Sequence, residues 1–194
     1  MPLEIDPWQL KILTPPANAP EFRTVLLDPP WNERGGGKSK RGADKHYPLM
    51  KTPDILHTIL WCPQWANITA NAHMYLWVTN SFLKDGLWLM DGLGFRYVTN
   101  VVWTKRKDDK VQTGIGQYFR GSHELLLFGT RGRKPTEPRT EFKNISSVIE
   151  APRTQHSQKP EKSYQLIENR SHGPYLEIFA RSRRSGWVSW GNEV

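Results

Sequence analysis

The stretch "VLLDPPWNE", residues 25–33, sets an apolar run, Val25, Leu26 and Leu27, directly against an acid, two prolines and a tryptophan. Such a run suits a short, fully buried parallel strand. Consecutive prolines remove two backbone donors and fix φ, so the strand stops here and a stiff turn begins. Asp28 is thereby delivered to a strand end. Outward from this point, strand-like and helix-like segments alternate. "TPDILHTIL" (52–60) has helical spacing, with Thr52 expected as N-cap and Pro53 at the first position. Strands are predicted at 73–79, 95–103, 123–129 and 174–180, and "GWVSWGN" closes the chain. Helices are predicted over 81–94, capped by Ser81 and stopped around Gly92 to Gly94, and from Pro160 through "KSYQLIENR". The pattern is that of an open α/β fold, a mostly parallel sheet with helices on both faces. Ligands in such sheets bind beyond the carboxyl ends of the strands, where Asp28 and Arg181 are both expected.

The 194 residues make one domain of ordinary size, with residues 1–21 as an irregular, proline-rich lead-in. A net charge of +8 favours a polyanionic partner such as nucleic acid. One cysteine, Cys62, excludes an intrachain disulfide and a Cys-rich zinc module, which points to a reducing cytoplasm. The N-terminus has no signal-peptide pattern, and no run approaches the roughly 18 apolar residues of a membrane span. The six histidines are scattered without metal-ligand spacing, so no metal is expected. His123 and Glu124, on a predicted strand, read as supporting groups. "GIG" (114–116) is too short to be a nucleotide fingerprint.

Three polar segments interrupt the alternation: residues 32–48, 105–121 and 130–140. They hold about half of the 27 Lys and Arg, including Arg34, Lys38, Lys40, Arg41, Lys45, Lys105, Arg106, Lys107, Lys110, Arg120, Arg131, Arg133, Lys134 and Arg139. Long loops in a compact domain are functional or disordered. These are read as a phosphate-contacting rim, with Lys38, Lys40, Arg41, Lys105, Arg106 and Arg120 as the main contacts. Gly35, Gly36 and Gly37 give the first loop freedom to close over a flipped base.

The chemistry of the Asp-Pro-Pro-Trp turn is specific. The Asp28 carboxylate and the Pro29 carbonyl are two acceptors held close together, suited to one NH2 group that donates twice. Holding both hydrogens of an adenine amine favours a more tetrahedral nitrogen, and the carboxylate faces the charge that develops there. Trp31 offers a flat face for base stacking.

"DPPW" resembles the motif of amino-group methyltransferases that use S-adenosylmethionine, and the chain from residue 22 onward resembles the MT-A70 family. "VLLDPPWNERGGGKSKRGADKHYPLM" is similar to its catalytic strand and first gating loop, and "GSHELLLFGTRG" to its central strand. "TQHSQKPEKSYQLIE" is similar to its second gating loop and following helix, and "LEIFARSRRSGWVSWGNEV" to its cofactor-binding end. The resemblance implies a Rossmann-like methyltransferase fold in permuted motif order, with Asp28, Pro29, Pro30 and Trp31 as the target-base pocket. Asp28 also borders the cofactor. It implies S-adenosylmethionine held at its carboxylate by Lys159, at its ribose and tail by Arg181 and Arg183, and around its adenine by Asn192 and Glu193, with Tyr47 on the first gate. Two departures stand out: "FARSRRSG" lacks a Gly-x-Gly turn, and Arg183 stands where several relatives have histidine. Glu177 reads either as a cofactor contact or as a satisfied buried acid.

The function so implied is methyl transfer to the N6 amino group of adenine in DNA, single-stranded or with the base flipped from a duplex, by a monomer or homodimer. The alternatives are an RNA adenosine methyltransferase, a cytosine amino-methyltransferase, and a non-catalytic nucleic-acid-binding partner. Retention of both Asp28 and Trp31 weighs against the last.

Overall fold

A computed structural model describes residues 20–32, 49–114, 116, 118–132, 144–153, 158–192 and 194. The chain forms β1 (Phe22–Leu27), α1 (Thr52–Leu60), β2 (Ile68–Val78), α2 (Leu83–Gly92), β3 (Arg96–Lys107) and β4 (Lys110–Val111). Then follow β5 (His123–Arg131), β6 (Val148–Pro152), α3 (Glu161–Arg170), β7 (Tyr175–Ile178) and β8 (Trp187–Trp190). Among the described residues these strands make one sheet in the order β4-β3-β5-β2-β1-β7-β8, with β6 added beside β3.

The strand of the opening motif lies inside the sheet, parallel to β2 on one side and to β7 on the other. Its alternation explains the unbroken apolar run. Val25 and Leu27 join Met74, Leu76 and Val78 under Ile55 and Ile59 of α1 and Leu89 and Met90 of α2. Leu26 faces the other way, with Tyr75, Trp77, Leu126 and Ile167 of α3. Helices therefore cover both faces, as expected.

The sheet is mixed: β1-β2, β1-β7, β7-β8 and β3-β6 pair parallel, whereas β2-β5, β5-β3 and β3-β4 are antiparallel. A parallel neighbour needs a long crossover, usually helical, and no helix lies between Trp103 and His123 in the described residues. The chain instead turns back directly. Part of the polar segment 105–121 is accordingly strand: Lys105 to Lys107 end β3, and a turn through Asp108 (φ 53°) leads into β4. Likewise Arg131 ends β5, where its guanidinium donates to the carbonyls of Ile68 and Thr69, so it is a structural tie and not part of a rim. β6 has no counterpart in the predicted elements, although Val148, Glu150 and Pro152 are exposed while Ile149 and Ala151 are buried, a period of two.

Helix boundaries differ from expectation at the caps. Thr52 lies within α1, after the N-cap Lys51, and its hydroxyl donates to Asp85 of α2 at 2.7 Å, tying the two helices together. Ser81 lies in a short 3-10 turn before α2 and makes no capping bond. The stop is as read: Gly94 takes φ 75°, which an L side chain adopts at a cost, and Phe95 N–H closes back on the Met90 carbonyl at 2.9 Å.

Because α3 is held to the sheet through fully buried Ile167, Ile167→Ala is expected to cost about 2–5 kcal/mol of stability. Urea unfolding followed by circular dichroism measures it, and a change below about 1 kcal/mol would contradict this packing.

Candidate active site

The parallel register sets the carboxyl ends of β1, β2, β7 and β8 together, and the antiparallel strands bring the end of β3 and the start of β5 to the same edge. Alternation then selects a face. Asp28 follows Leu26 by two residues, Lys105 follows Trp103 by two and Glu124 precedes Leu126 by two, so each polar group continues a row that packs beneath α3.

On this face Lys159, just ahead of α3, bonds both oxygens of Asp28, at 2.8 and 2.9 Å. It also lies 3.5 Å from Glu124, whose other oxygen is 2.7 Å from the Lys105 ammonium. The result is a ladder of alternating charge across the sheet: Lys105, Glu124, Lys159, Asp28. Burial disfavours the ammonium of Lys159, but the two carboxylates outweigh it and hold its pKa above the ordinary lysine value. Burial likewise opposes the Glu124 carboxylate, yet Lys159 and Lys105 together hold its pKa below the usual value. Lys159 sits 5.5 Å over the Trp77 ring, whose buried indole N–H has no partner among the described residues.

The turn itself is tight. Trp31 N–H closes on the Pro29 carbonyl at 2.9 Å, and Met50 N–H on the Pro30 carbonyl at 2.8 Å. Pro29 keeps one lone pair for a second donor, as the amine reading requires. Trp31 and Met50 form a β-bridge, so the chain leaves the sheet and returns to it at one place. Trp31 does not offer the expected stacking face. Its ring is only 6% exposed, stacked on Phe82 at 5.4 Å, with its N–H donated to the Trp77 carbonyl at 2.9 Å. It is a wall that fixes the turn.

Behind Asp28 lies a second polar pair. The Tyr164 hydroxyl donates to Glu177 at 2.8 Å, and Glu177 is buried on β7 opposite Leu26. Burial pushes the Glu177 carboxyl from 4.5 up to about 7; the Tyr164 hydrogen bond counters this, and the charge on Asp28 adds to it. Of the two readings the sequence left open, the structure favours a buried acid held by a partner. Arg184 covers this pair: it lies 4.4 Å over the Tyr164 ring, bonds both oxygens of Glu161 at 2.8 Å and reaches Glu168 at 3.2 Å, fastening α3 to the turn before β8.

The segment after β7, which has no Gly-x-Gly, turns at a non-glycine residue. Phe179 itself adopts the left-handed conformation (φ 66°), a strained choice for a bulky residue and one that clusters at functional sites. Ala180 N–H then bonds the Trp190 carbonyl at 3.1 Å, and Gly191 packs against the Ala180 backbone so closely that a Cβ would collide with it. Arg181 is half-buried, near enough to Lys159 to oppose its charge. Arg183 is exposed and, with Arg184, Ser185, Trp187, Ser189 and Val194, lines an open concavity of about 450 Å³. The Ser189 hydroxyl is buried there with no partner among the described residues. Asn192 is exposed just after β8.

Asp28, Lys159 and Arg181 are thus brought together. Lys105 and Arg106, expected as phosphate contacts on a loop, lie on β3 with acid partners, Glu124 and, at 3.7 Å, Glu150. Arg120 is exposed beside the β3–β5 link. Lys38, Lys40, Arg41, Tyr47 and Glu193 lie outside the described residues. The sequence did not single out Trp77, Tyr164 or Arg184; for Tyr164 the signal was its place one turn after Pro160, facing the sheet.

The MT-A70 family model matches residues 22–193. The chain belongs to the MT-A70 family. It is 26% identical to a type II methyltransferase, M.MunI, from Mycoplasma, over 90% of this chain and 78% of that protein. It is 30% identical to the N6-methyladenosine RNA methyltransferase MTA1 of Pyricularia oryzae, over 91% of this chain and 48% of that one. It is 27% identical to the human N(6)-adenine-specific methyltransferase METTL4, over 89% of this chain and 37% of that one. The chain thus spans half or less of the fungal and human relatives. MT-A70 methyltransferases are N6-adenine methyltransferases acting on nucleic acid, and generally use S-adenosylmethionine. No helix of the described residues is long and apolar enough to cross a membrane.

Two outcomes follow from the ladder. Lys159→Met removes the cation between Asp28 and Glu124, leaving Glu124 with Lys105 alone and Asp28 without its ion pair, and is expected to cost about 3–5 kcal/mol near neutral pH. The loss should shrink as pH falls toward the carboxylate range, because protonation removes the uncompensated charge; a pH-independent loss in thermal melts would contradict it. Glu177, with its pKa raised, binds a proton more tightly folded than unfolded, so it adds stability at low pH that is lost as pH rises from 4.5 through about 7. Glu177→Gln should flatten that slope in chemical denaturation.

Proposed function

We propose that the chain transfers a methyl group from S-adenosylmethionine to the exocyclic N6 amino group of adenine in DNA, on a Rossmann-like sheet whose catalytic strand precedes its cofactor strand. The observation that carries this reading is the Asp28 carboxylate, held at the crevice end of β1 by Lys159 in a Pro-Pro turn with an acceptor beside it.

The donor set suits the cofactor's chemistry. Its amino-acid end carries one negative and one positive charge, and the crevice offers Lys159 and Arg181 as cations beside Asp28 as anion. Its hydroxyl-rich ribose suits the Ser189 hydroxyl, which has no partner among the described residues, with Arg183 and Asn192; Glu193 would join them. When bound, S-adenosylmethionine supplies an electrophilic methyl group on a sulfonium.

The remaining steps belong to this chain. Asp28 and the free lone pair of the Pro29 carbonyl accept the two N–H groups of the amine, which turns the nitrogen lone pair toward the crevice. Positive charge developing on the amine nitrogen as it accepts the methyl group, with the sulfonium's electron pair returning to sulfur, would lie beside the Asp28 carboxylate, which would stabilise it. The surplus amine proton leaves by way of Asp28. For Asp28 to accept the amine, Lys159 must share or give up one of its two bonds to that carboxylate, and an incoming cofactor carboxylate offers Lys159 a second anion. Trp31 and Phe82 wall the pocket. DNA is favoured because the M.MunI relative is matched over most of its own length. RNA is the second reading, favoured by the fungal relative's name at the higher identity.

Incubation with cofactor carrying a labelled methyl and with DNA or RNA, followed by nucleoside mass spectrometry, tests both. N6-methyladenine in DNA is expected; N6-methyladenosine alone would transfer the reading to RNA, and methylcytosine would overturn it. Asp28→Asn should lower kcat at least ~10²-fold while cofactor affinity changes far less, since a charge aimed at the transition state is lost. An extruded base costs a few kcal/mol to unstack, so single strands should be methylated faster than matched duplex.

A further inference from the structure

The link between β3 and β5 carries two aromatic side chains that nothing in the described structure covers. Tyr118 and Phe119 are both 91% exposed, at adjacent positions, followed by exposed Arg120. Water-exposed aromatic rings of this size are uncommon as neighbours, since each leaves a large apolar surface unburied. The link is nonetheless built. Its neck is closed by hydrogen bonds from Gln112 N–H to the Lys105 carbonyl, Gly114 N–H to the Gly121 carbonyl and Lys105 N–H to the Ser122 carbonyl, at 2.7, 2.7 and 2.9 Å. Gly116 packs on the Phe119 backbone where a Cβ would collide. The rings are therefore presented on a shaped turn.

Its place is defined by the sheet. The end of β3 and the start of β5 lie at the same edge as Asp28, through the register of β1 with β2, β2 with β5 and β5 with β3. Glu124, three residues past the neck residue Gly121, belongs to the ladder that ends on Asp28.

We infer that Tyr118 and Phe119 form a stacking tip that holds unpaired bases next to the target adenine. This rests on the reading of the crevice as an adenine-methylating site. The surroundings suit a nucleic-acid strand better than an apolar protein groove. Gln112, Thr113, Gly114 and Ser122 make most of the neck polar, with Val111 an exposed apolar residue just before it. Lys107, Lys110 and Arg120 are exposed on the same β3–β5 connection, against Asp108 and Asp109 at the hairpin turn, on a chain of net charge +8. Every base has a face that an aromatic ring can stack on, whatever its identity, so such a tip supplies affinity without sequence choice. It also supplies what Trp31, buried as a wall, does not.

The test uses the full chain and a single-stranded oligodeoxynucleotide with 2-aminopurine beside one adenine. Stacking quenches 2-aminopurine fluorescence, so the wild-type protein should quench it on binding. Tyr118→Ala with Phe119→Ala should abolish the quenching and weaken binding at least about fivefold per ring removed, with the melting temperature unchanged because neither ring is buried. Tyr118→Phe with Phe119→Tyr should restore both. Unchanged quenching and affinity in the double-alanine variant overturn the proposal. So does loss of a dimer in sedimentation with oligonucleotide affinity intact, which would make a second copy the occupant of the tip. Because binding and quenching are read without methyl transfer, the two readings fail separately. Quenching without methylated product removes the activity and leaves the tip, while methylated product with unchanged affinity removes the tip alone.

Discussion

The ion pair between Lys159 and Asp28 organises the rest of the site. Asp28 lies at the end of a strand buried on both faces, where an unpaired carboxylate would be costly, and Lys159 stands ahead of a helix that covers the strand on one side only. Each makes the other's burial tolerable. Lys159 in turn answers Glu124, and Glu124 answers Lys105, so the cost of placing charge in a crevice is shared across β1, β5 and β3. An arrangement of this kind gives each carboxylate of the crevice a cation within hydrogen-bond reach. It also makes the acceptor conditional on what Lys159 binds.

The sheet provides the frame for that ladder by combining two halves. The parallel half brings the ends of β1, β7 and β8 to one edge, and the antiparallel half returns β3 and β5 to that edge without a helix between them. Had the whole sheet been parallel, the link between β3 and β5 would have required a covering crossover. The open link instead carries the exposed Tyr118, Phe119 and Arg120. On the other flank, the left-handed Phe179 and the close approach of Gly191 to Ala180 shape the segment that carries Arg181 and Arg183, the latter lining the concavity. Arg184 ties that flank to α3 through Glu161 and Glu168.

Much of this was legible in the order of residues. The apolar run before Asp28, the helical spacing of 52–60 and the strands at β2, β3, β5 and β7 followed from local periodicity, which the chain obeys because each element buries one face. The family resemblance placed Asp28, Lys159 and Arg181 in a single crevice, and the structure brings those three together. The helix caps were misread because Thr52 is drawn to Asp85 on a neighbouring helix, a partner with no local trace. β6 escaped because its period of two is short and lies after a polar stretch.

By itself, the sequence determined most of the elements, β4 and β6 excepted, that β1 ends on an acid, and that a stiff turn without donors follows it; these depend on neighbours along the chain. Only the tertiary structure decided strand direction, the burial of Trp31, the pairing of Lys105 with Glu124 and the contact of Lys159 with Asp28. The Lys159–Asp28 partners are 131 residues apart, and their meeting depends on which strands lie side by side and which face α3 covers. Local pattern can place a charged residue at a strand end, but its protonation and its partner are set by what the fold packs against it.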